Sequence, residues 1–168
     1  MQLTRAADYA ARVMIHLAGL PVDSRASRIE LARAADVPEA FLGKILQSLV
    51  RSGLMVSQRG VSGGFTLGKP ASEMTLVEVI EAVEGPLFLN RCVNPGEGCH
   101  RSSWCAAHYL WAEAQEAMLK VLRRSSIADL AEASARRKAA AGADKCALDS
   151  EPRQCGTSFG STGALPWT

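Results

Sequence analysis

The stretch FLGKILQSLVRSGLMVSQRGVSGGFTLGK, residues 41–69, decides the fold. Its first half predicts an amphipathic helix, because apolar residues recur at helical spacing at Leu42, Ile45, Leu46 and Leu49. Gly53 can end that helix, since glycine readily adopts the left-handed conformation found just after a helix. The second half places LMVSQ and FTLGK on either side of RGVSGG, which predicts two short strands joined by a glycine-rich turn.

The residues before this stretch predict two more helices. Thr4 can cap a first helix that ends near Gly19. Ser27 and Glu30 have the Ser-x-x-Glu spacing of a capping box, so a short helix begins there and breaks at Val37-Pro38. Two closely joined helices followed by a hairpin are typical of a winged helix-turn-helix. The predicted fold class is therefore mostly α, with a β-hairpin wing.

On the helix that carries the Leu42–Leu49 stripe, the residues of the opposite face are small, polar or basic. A helix that enters the DNA major groove needs small residues for close approach and polar groups that meet base edges and phosphates. Arg59 lies at the glycine-flanked tip of the hairpin, where its guanidinium can reach a narrow minor groove. For the helix alone, an ordinary solvated face is the alternative. The candidate DNA-contacting residues are Arg28, Glu39, Ala40, Gly43, Lys44, Gln47, Ser48, Arg51, Arg59 and Gly60.

Charge and composition bear on the partner and the compartment of the protein. Residues 1–70 hold nine lysines and arginines against five acidic residues, a balance of +4, which suits a polyanion but also an ordinary solvated surface. Residues 71–90 carry four glutamates and no base. There is no run of eighteen apolar residues and the first twenty lack the pattern of a signal peptide, so we expect a cytoplasmic chain without a membrane span.

The sequence after the hairpin predicts two further helices and a tail. Thr75 and Glu78 form another capping box at the start of the first helix. The second, over about residues 104–124, carries an apolar stripe too long for so small a domain to cover, at Leu110, Trp111, Ala114, Met118, Val121 and Leu122. We therefore predict a homodimer, with packing inside one subunit as the alternative. Small and polar residues dominate from about Ala139, which predicts a flexible tail.

Three of the five cysteines cluster as Cys92-x6-Cys99-x5-Cys105-x2-His108 in a glycine- and proline-containing loop. An imidazole and three thiolates can converge there on a soft-metal centre. Structural zinc sites usually contain Cys-x2-Cys pairs, and thiol–disulfide switches usually have the same spacing. The chain contains no Cys-x2-Cys pair. Cysteines that serve only as buried core side chains would be expected on an apolar stripe, and these three lie instead in a loop. Thiolates at wide spacing on a loop favour an iron–sulfur cluster, with zinc and thiol switching left open.

In this order and spacing, the motifs resemble the winged-helix iron–sulfur regulators typified by IscR and NsrR. The resemblance covers roughly residues 1–135 and includes MQLTRAADYA, FLGKILQSLVRSGL, RGVSGGFTLGK, TLVEVIEAVEG and CAAHYLW followed by SIADLAE. It implies that Cys92, Cys99, Cys105 and His108 hold the cluster, with 2Fe–2S preferred. Asp8 matches the position from which an NsrR-like partner subunit supplies a carboxylate to a 4Fe–4S centre, so it is the alternative fourth ligand. His100, Cys146 and Cys155 fall outside the ligand pattern.

The resemblance also implies a function and a division of the chain. We expect a dimeric transcriptional regulator that binds a double-stranded DNA operator and receives its cluster from the iron–sulfur assembly machinery. The rivals are a zinc- or thiol-sensing DNA-binding regulator and a small iron–sulfur redox protein or thiol oxidoreductase. The expected regions are the winged helix-turn-helix (1–70), a linking helix (71–90), the cluster-binding loop (91–108), the dimerisation helix region (104–135) and the tail (139–168).

Overall fold

The computed structural model describes residues 3–60 and 63–149, with side chains as far as residue 141. Over these residues the chain forms six α-helices and one antiparallel hairpin. The residues up to Arg136 make one compact unit, which contains every site discussed below. The elements are α1 (Arg5–Ala18), α2 (Arg28–Ala35), α3 (Glu39–Arg51), β1 (Met55–Gln58), β2 (Gly64–Leu67), α4 (Leu76–Glu84), α5 (Ala106–Arg123) and α6 (Ile127–Asp149).

The three predicted helix caps are confirmed. The Thr4 hydroxyl accepts a hydrogen bond from the Ala6 amide at 3.1 Å. Ser27 forms a reciprocal capping box with Glu30, in which its amide donates to the Glu30 carboxylate at 2.6 Å. Thr75 opens α4 in the same way. These side chains satisfy amides that have no partner inside the helix, so residues close in sequence define the starts of α1, α2 and α4.

The junction between α3 and the hairpin depends on two glycines. Gly53 has a φ of +75°, and the next amide, that of Leu54, donates to the Leu49 carbonyl at 3.0 Å, which closes the helix end. A Cβ built on Gly68 would stand 2.1 Å from the Gly53 carbonyl oxygen, so a side chain cannot fit there. The hairpin pairs Met55 of β1 with Leu67 of β2, and Phe65 of β2 is bridged on its other side to Ala26. The predicted wing is thus present and tied to the loop before α2.

The core lies between α1, α2, α3 and α4. The predicted α3 stripe, Leu42, Ile45, Leu46 and Leu49, is buried there. The same core receives Val79 from α4 and Ile127 from α6, and the Ile127 amide donates to the Met74 carbonyl at 2.8 Å. Residues 71–90, which the sequence analysis set apart as a linking helix, therefore pack into the winged-helix domain. α4 is thus part of that core.

The C-terminal part of the chain differs from the expectation. Residues 139–149 are helical as part of α6, whereas the sequence analysis assigned them to the tail. The alanine-rich segment lacks an apolar face, but alanine has the highest intrinsic helix propensity, so losing the periodicity did not end the helix. The remainder of the predicted tail, with Cys155, lies outside the described residues, as does the side chain of Cys146. In the described part of the chain no helix is long and apolar enough to span a bilayer.

Candidate nucleic-acid interface and cysteine pocket

The polar face of α3 lies at the surface, opposite its buried stripe. The exposed residues on it are Glu39, Ala40, Lys44, Gln47 and Arg51, and the half-buried ones are Gly43 and Ser48. All seven are accessible from outside the domain, as contact with DNA requires. The contact itself stays a prediction.

An open cleft of about 450 Å³ lies between α3, the start of α2 and the hairpin. It brings together four of the predicted DNA-contacting residues, Arg28, Gly43, Gln47 and Arg51. Its remaining lining is the hydroxyl-bearing Ser57 and an apolar surface formed by Leu46, Val50 and Phe65. The sequence analysis missed Ser57 and Phe65. Ser57 and Phe65 are directly paired across the hairpin, so a predicted register for the two strands would have placed them side by side.

The Arg28 guanidinium lies over Gly43. Its Nη2 donates a hydrogen bond to the Glu39 carbonyl oxygen at 2.9 Å. A Cβ built on Gly43 would be 3.8 Å from that same nitrogen, an ordinary van der Waals distance. The first residue of α2 therefore contributes its charge to the exposed face of α3.

The described residues of the hairpin turn depend on glycine at positions 60 and 63. Arg59 follows β1 and is exposed. Gly60 has a φ of +118°, and its carbonyl accepts the Gly63 amide at 2.9 Å. A Cβ on Gly63 would be 2.6 Å from the Gln58 carbonyl oxygen. The predicted need for glycine in this turn is confirmed for Gly60 and Gly63.

The cysteine loop is a series of short turns between α4 and α5. A 3-10 turn at Arg91–Val93 begins it, and the Asn94 side chain accepts the Gly96 amide at 2.9 Å. Arg91 Nε donates to the Glu97 carboxylate at 2.5 Å, and this hydrogen bond raises the pKa of Arg91. Hydrogen bonds within the loop thus hold it in a defined shape although it contains little regular structure.

Three of the four predicted cluster ligands line one open pocket of about 350 Å³: Cys92, Cys99 and His108. Buried His108 Nδ1 has no hydrogen-bond partner. An imidazole nitrogen taken out of water without a partner is costly, and it is a good ligand for a metal. Two thiols on the same pocket are soft donors, so the donor set fits zinc or an iron–sulfur centre.

The ligand set is not fully assembled. Cys105 precedes α5 and is half-buried, but it is not among the residues that line the pocket. Its carbonyl accepts the His108 amide at 3.0 Å, so it is one helical turn from the imidazole. Among the described residues, no three cysteine, histidine or acidic side chains stand close enough together to chelate an ion. Closing the set would require the side chains of Cys92, Cys99 and His108 to approach one another and that of Cys105 to turn toward them.

The alternative ligand and the remaining loop histidine lie elsewhere. Asp8 is exposed on α1 and pairs with Arg12 at 2.7 Å. It does not line the cysteine pocket of its own chain. His100 is exposed and accepts a hydrogen bond from Arg101 at 3.2 Å, which agrees with its position outside the ligand pattern.

A side-chain amide joins the segment before the cysteine loop to α5. The Gln115 oxygen accepts the Leu89 amide at 2.8 Å, and its nitrogen donates to the Leu87 carbonyl at 2.6 Å. Leu87 itself is buried against Ala7 of α1 and Ile80 of α4. The pocket wall, which includes Ala112 of α5, is therefore connected through this segment to the winged-helix core.

The predicted α5 stripe divides between two faces. Met118 and Leu122 pack against the cluster that contains Leu87, so the alternative of packing within one subunit holds for them. Leu110 and Val121 point away from the domain, with 68% and 59% of their surface exposed. Trp111 and Ala114 are exposed as well. Large exposed apolar residues in a row on one helix mark a surface that another protein covers.

Comparison with known proteins places these features in context. The model of the family Rrf2, described as "Iron-dependent Transcriptional regulator", matches residues 3–133. "Protein aau3" of Rhizobium meliloti (strain 1021) is 38% identical over 135 residues, covering 79% of this chain and 86% of the relative. CymR (YrzC), the global cysteine regulator of B. subtilis, is 26% identical with a TM-score of 0.65, covering 79% of this chain and 97% of that structure. T. potens IscR, at 19% identity and a TM-score of 0.64, covers 80% and 88% and shares the fold.

Proposed function

This chain belongs to the Rrf2 family of DNA-binding transcriptional regulators, and on that premise we propose that an iron–sulfur cluster at residues 92–108 controls its affinity for an operator. The family consists of regulators and not of enzymes, so the interpretation as a redox enzyme is set aside. The cluster would make binding depend on cluster supply, redox state or nitric oxide. Because its operator is chromosomal DNA, the protein would act in the cytoplasm.

The winged helix would bind DNA through α3 and the hairpin tip. In this arrangement α3 enters the major groove and Arg59 enters the adjacent minor groove. Lys44, Arg51 and Arg59 are exposed and would supply much of the salt-dependent affinity through phosphate contacts. The accessible polar face of α3 and the exposed Arg59 support this arrangement.

The observation that carries the cluster proposal is that His108, whose buried Nδ1 has no hydrogen-bond partner, lines the same pocket as Cys92 and Cys99. Cys105, one turn away, would complete a three-cysteine, one-histidine set for a 2Fe–2S centre. A 4Fe–4S centre with Asp8 of a partner subunit is the other arrangement. Such a cluster supplies reversible one-electron chemistry and reactivity toward small oxidants. The cell's iron–sulfur assembly machinery would load it.

A thiol- or zinc-based sensor without a cluster is the second candidate. One observation favours it: Cys105 does not line the pocket, which leaves two thiols and one imidazole facing it. The fold is also shared with B. subtilis CymR, a global cysteine regulator.

Exposed apolar residues on α5 support a homodimer. Leu110 and Val121 lie about three turns apart on the same exposed face of α5. They would pack against α5 of a second copy. Each copy would then present one α3, so the operator should be a pseudo-palindrome.

The loop would act on DNA binding through the elements on either side of it. Residues 85–105, which include the cysteine loop, join α4 to α5, the proposed dimer contact. Val79 of α4 is in the winged-helix core. A change in loop conformation would therefore shift α5 relative to the core. In a dimer, that shift changes the spacing of the two α3 helices, and a mismatch with the half-sites removes base contacts.

Anaerobic purification tests the proposal. Iron, acid-labile sulfide and visible absorbance would be measured, and binding to DNA upstream of the chain's own gene would be followed by fluorescence anisotropy before and after cluster removal. We expect coloured protein whose DNA affinity changes when the cluster is removed. His108→Ala should alter the spectrum, whereas His100→Ala, an exposed histidine of the same loop, should not. Asp8→Ala distinguishes the alternative ligand.

Two results would contradict the cluster. Protein that is colourless and contains zinc instead of iron supports the zinc sensor. Metal-free protein whose DNA binding responds to thiol oxidation supports the thiol sensor.

A further inference from the structure

Gly43 leaves a gap in the exposed face of α3, and the Arg28 side chain fills it. The guanidinium comes from the neighbouring helix and lies over the glycine, with Nη2 and Cζ at 3.8 and 3.9 Å from the position a Cβ would take. A helix face that meets DNA normally presents its own side chains. At this position the presented group belongs to another helix.

The guanidinium is held from two sides. Arg28 is the first residue of α2, directly after the Ser27 cap, so the backbone from which it extends is fixed by the capping box. At its other end, Nη2 donates to the Glu39 carbonyl at 2.9 Å. A guanidinium has five N–H donors, and this bond uses one of them. An anchored guanidinium with free donors loses less entropy on binding than a mobile lysine would.

The surroundings of Arg28 suit a nucleobase better than a protein carboxylate. No acidic side chain is among the described residues that line the cleft, so its charge is not neutralised there. Gln47 and Arg51, one and two turns further along α3, line the same cleft. Bidentate donation to O6 and N7 of guanine is the commonest specific contact that an arginine makes in the major groove.

We propose that Arg28 reads a guanine in each half-site by reaching across Gly43, and thus acts as a specificity-determining residue of α3 although it lies on α2. The inference rests on the proposed docking of α3 in the major groove. It does not depend on whether a cluster is present. Position 43 has no long or charged side chain, and this leaves the guanidinium room to lie over α3.

The test is selection from a randomised double-stranded DNA pool, followed by affinity measurements on the selected site with each base in turn. Wild type should prefer guanine at one position of each half-site by on the order of 10- to 100-fold. Arg28→Ala should abolish that preference and leave the preferences at other positions intact. Arg33→Ala removes the same charge from the last turn of α2 and serves as the matched control.

Two substitutions at position 43 distinguish the effect of adding a side chain from the effect of adding a charge. In Gly43→Ala the new methyl meets the guanidinium at an ordinary distance, so the guanine preference should remain. In Gly43→Asp a carboxylate would pair with the guanidinium, so the preference should fall as in Arg28→Ala. Circular dichroism and melting curves on each variant show that the fold is kept.

Other outcomes overturn the proposal. If Arg28→Ala weakens all sequences equally and lowers the slope of log affinity against log salt by about 0.9 per arginine, Arg28 contacts phosphate and not a base. An unchanged selection profile means that Arg28 only joins α2 to α3. If the wild type, with and without a reconstituted cluster, selects no sequence, the proposed docking of α3 fails together with this inference.

Discussion

Replacing Gln115 by leucine should weaken the connection between the cysteine-loop segment and α5. Gln115 makes two hydrogen bonds, at 2.8 Å from the Leu89 amide and at 2.6 Å to the Leu87 carbonyl. Leu87 is buried and Leu89 is half-buried, so water does not readily replace the lost partner. At about 1 kcal/mol of net stability for each hydrogen bond, the loss is about 2 kcal/mol. For a chain of this length that lowers Tm by roughly 4–8 °C.

Thermal and urea unfolding would measure this loss, and hydrogen exchange would locate it. We expect faster exchange of the Leu89 amide in Gln115→Leu. Gln115→Glu keeps the acceptor but loses the donor, so it should lose at least half as much stability. Glu116→Leu, at an exposed neighbouring position, should leave both measurements unchanged. If Gln115→Leu is as stable as wild type and the Leu89 amide exchanges at the wild-type rate, the two hydrogen bonds do not hold the segment.

Three further predictions concern packing, pH and assembly. Gly68→Ala should lower the free energy of unfolding by about 1–3 kcal/mol in urea titrations, because its methyl would meet the Gly53 carbonyl at 2.1 Å. Hydrogen bonds from the backbone amide and hydroxyl of the α2 cap lower the pKa of Glu30 below its ordinary 4.5, so its contribution is present above that pH and is lost as pH falls through the folded-state pKa. The stability difference between wild type and Glu30→Gln should therefore change only on the acid side. Val121→Asp should give monomers in analytical ultracentrifugation, whereas Glu116→Ala should not, and dimers of Val121→Asp would place the contact elsewhere.

The elements that the sequence predicts well are those whose causes lie within a few residues. The capping boxes at Ser27 and Thr75 join residues three apart, and both form. The helix end at Gly53 depends on the left-handed preference of one residue. Such features depend on local backbone chemistry, and tertiary packing reinforces them without altering them.

Periodicity is less informative where a helix has two apolar faces. In α5 the spacing puts Leu110 and Val121 about a quarter-turn from Met118 and Leu122, yet a sequence pattern groups them as one stripe. Packing against Leu87 covers the second pair and leaves the first exposed. In α6 the pattern ended at a composition change while the helix continued, because alanine sustains a helix without a buried face.

The sequence by itself determined the winged-helix fold and nominated the residues around position 100 as a metal site, because periodicity, caps and ligand types are properties of short segments. Only the tertiary structure decided which of them meet. It placed the guanidinium of Arg28 over Gly43, joined Gln115 to the segment before the cysteine loop, and brought His108 to the pocket of Cys92 and Cys99 while leaving Cys105 outside it. Contacts between residues distant in the chain depend on how whole helices pack, and that packing is a property of the entire core.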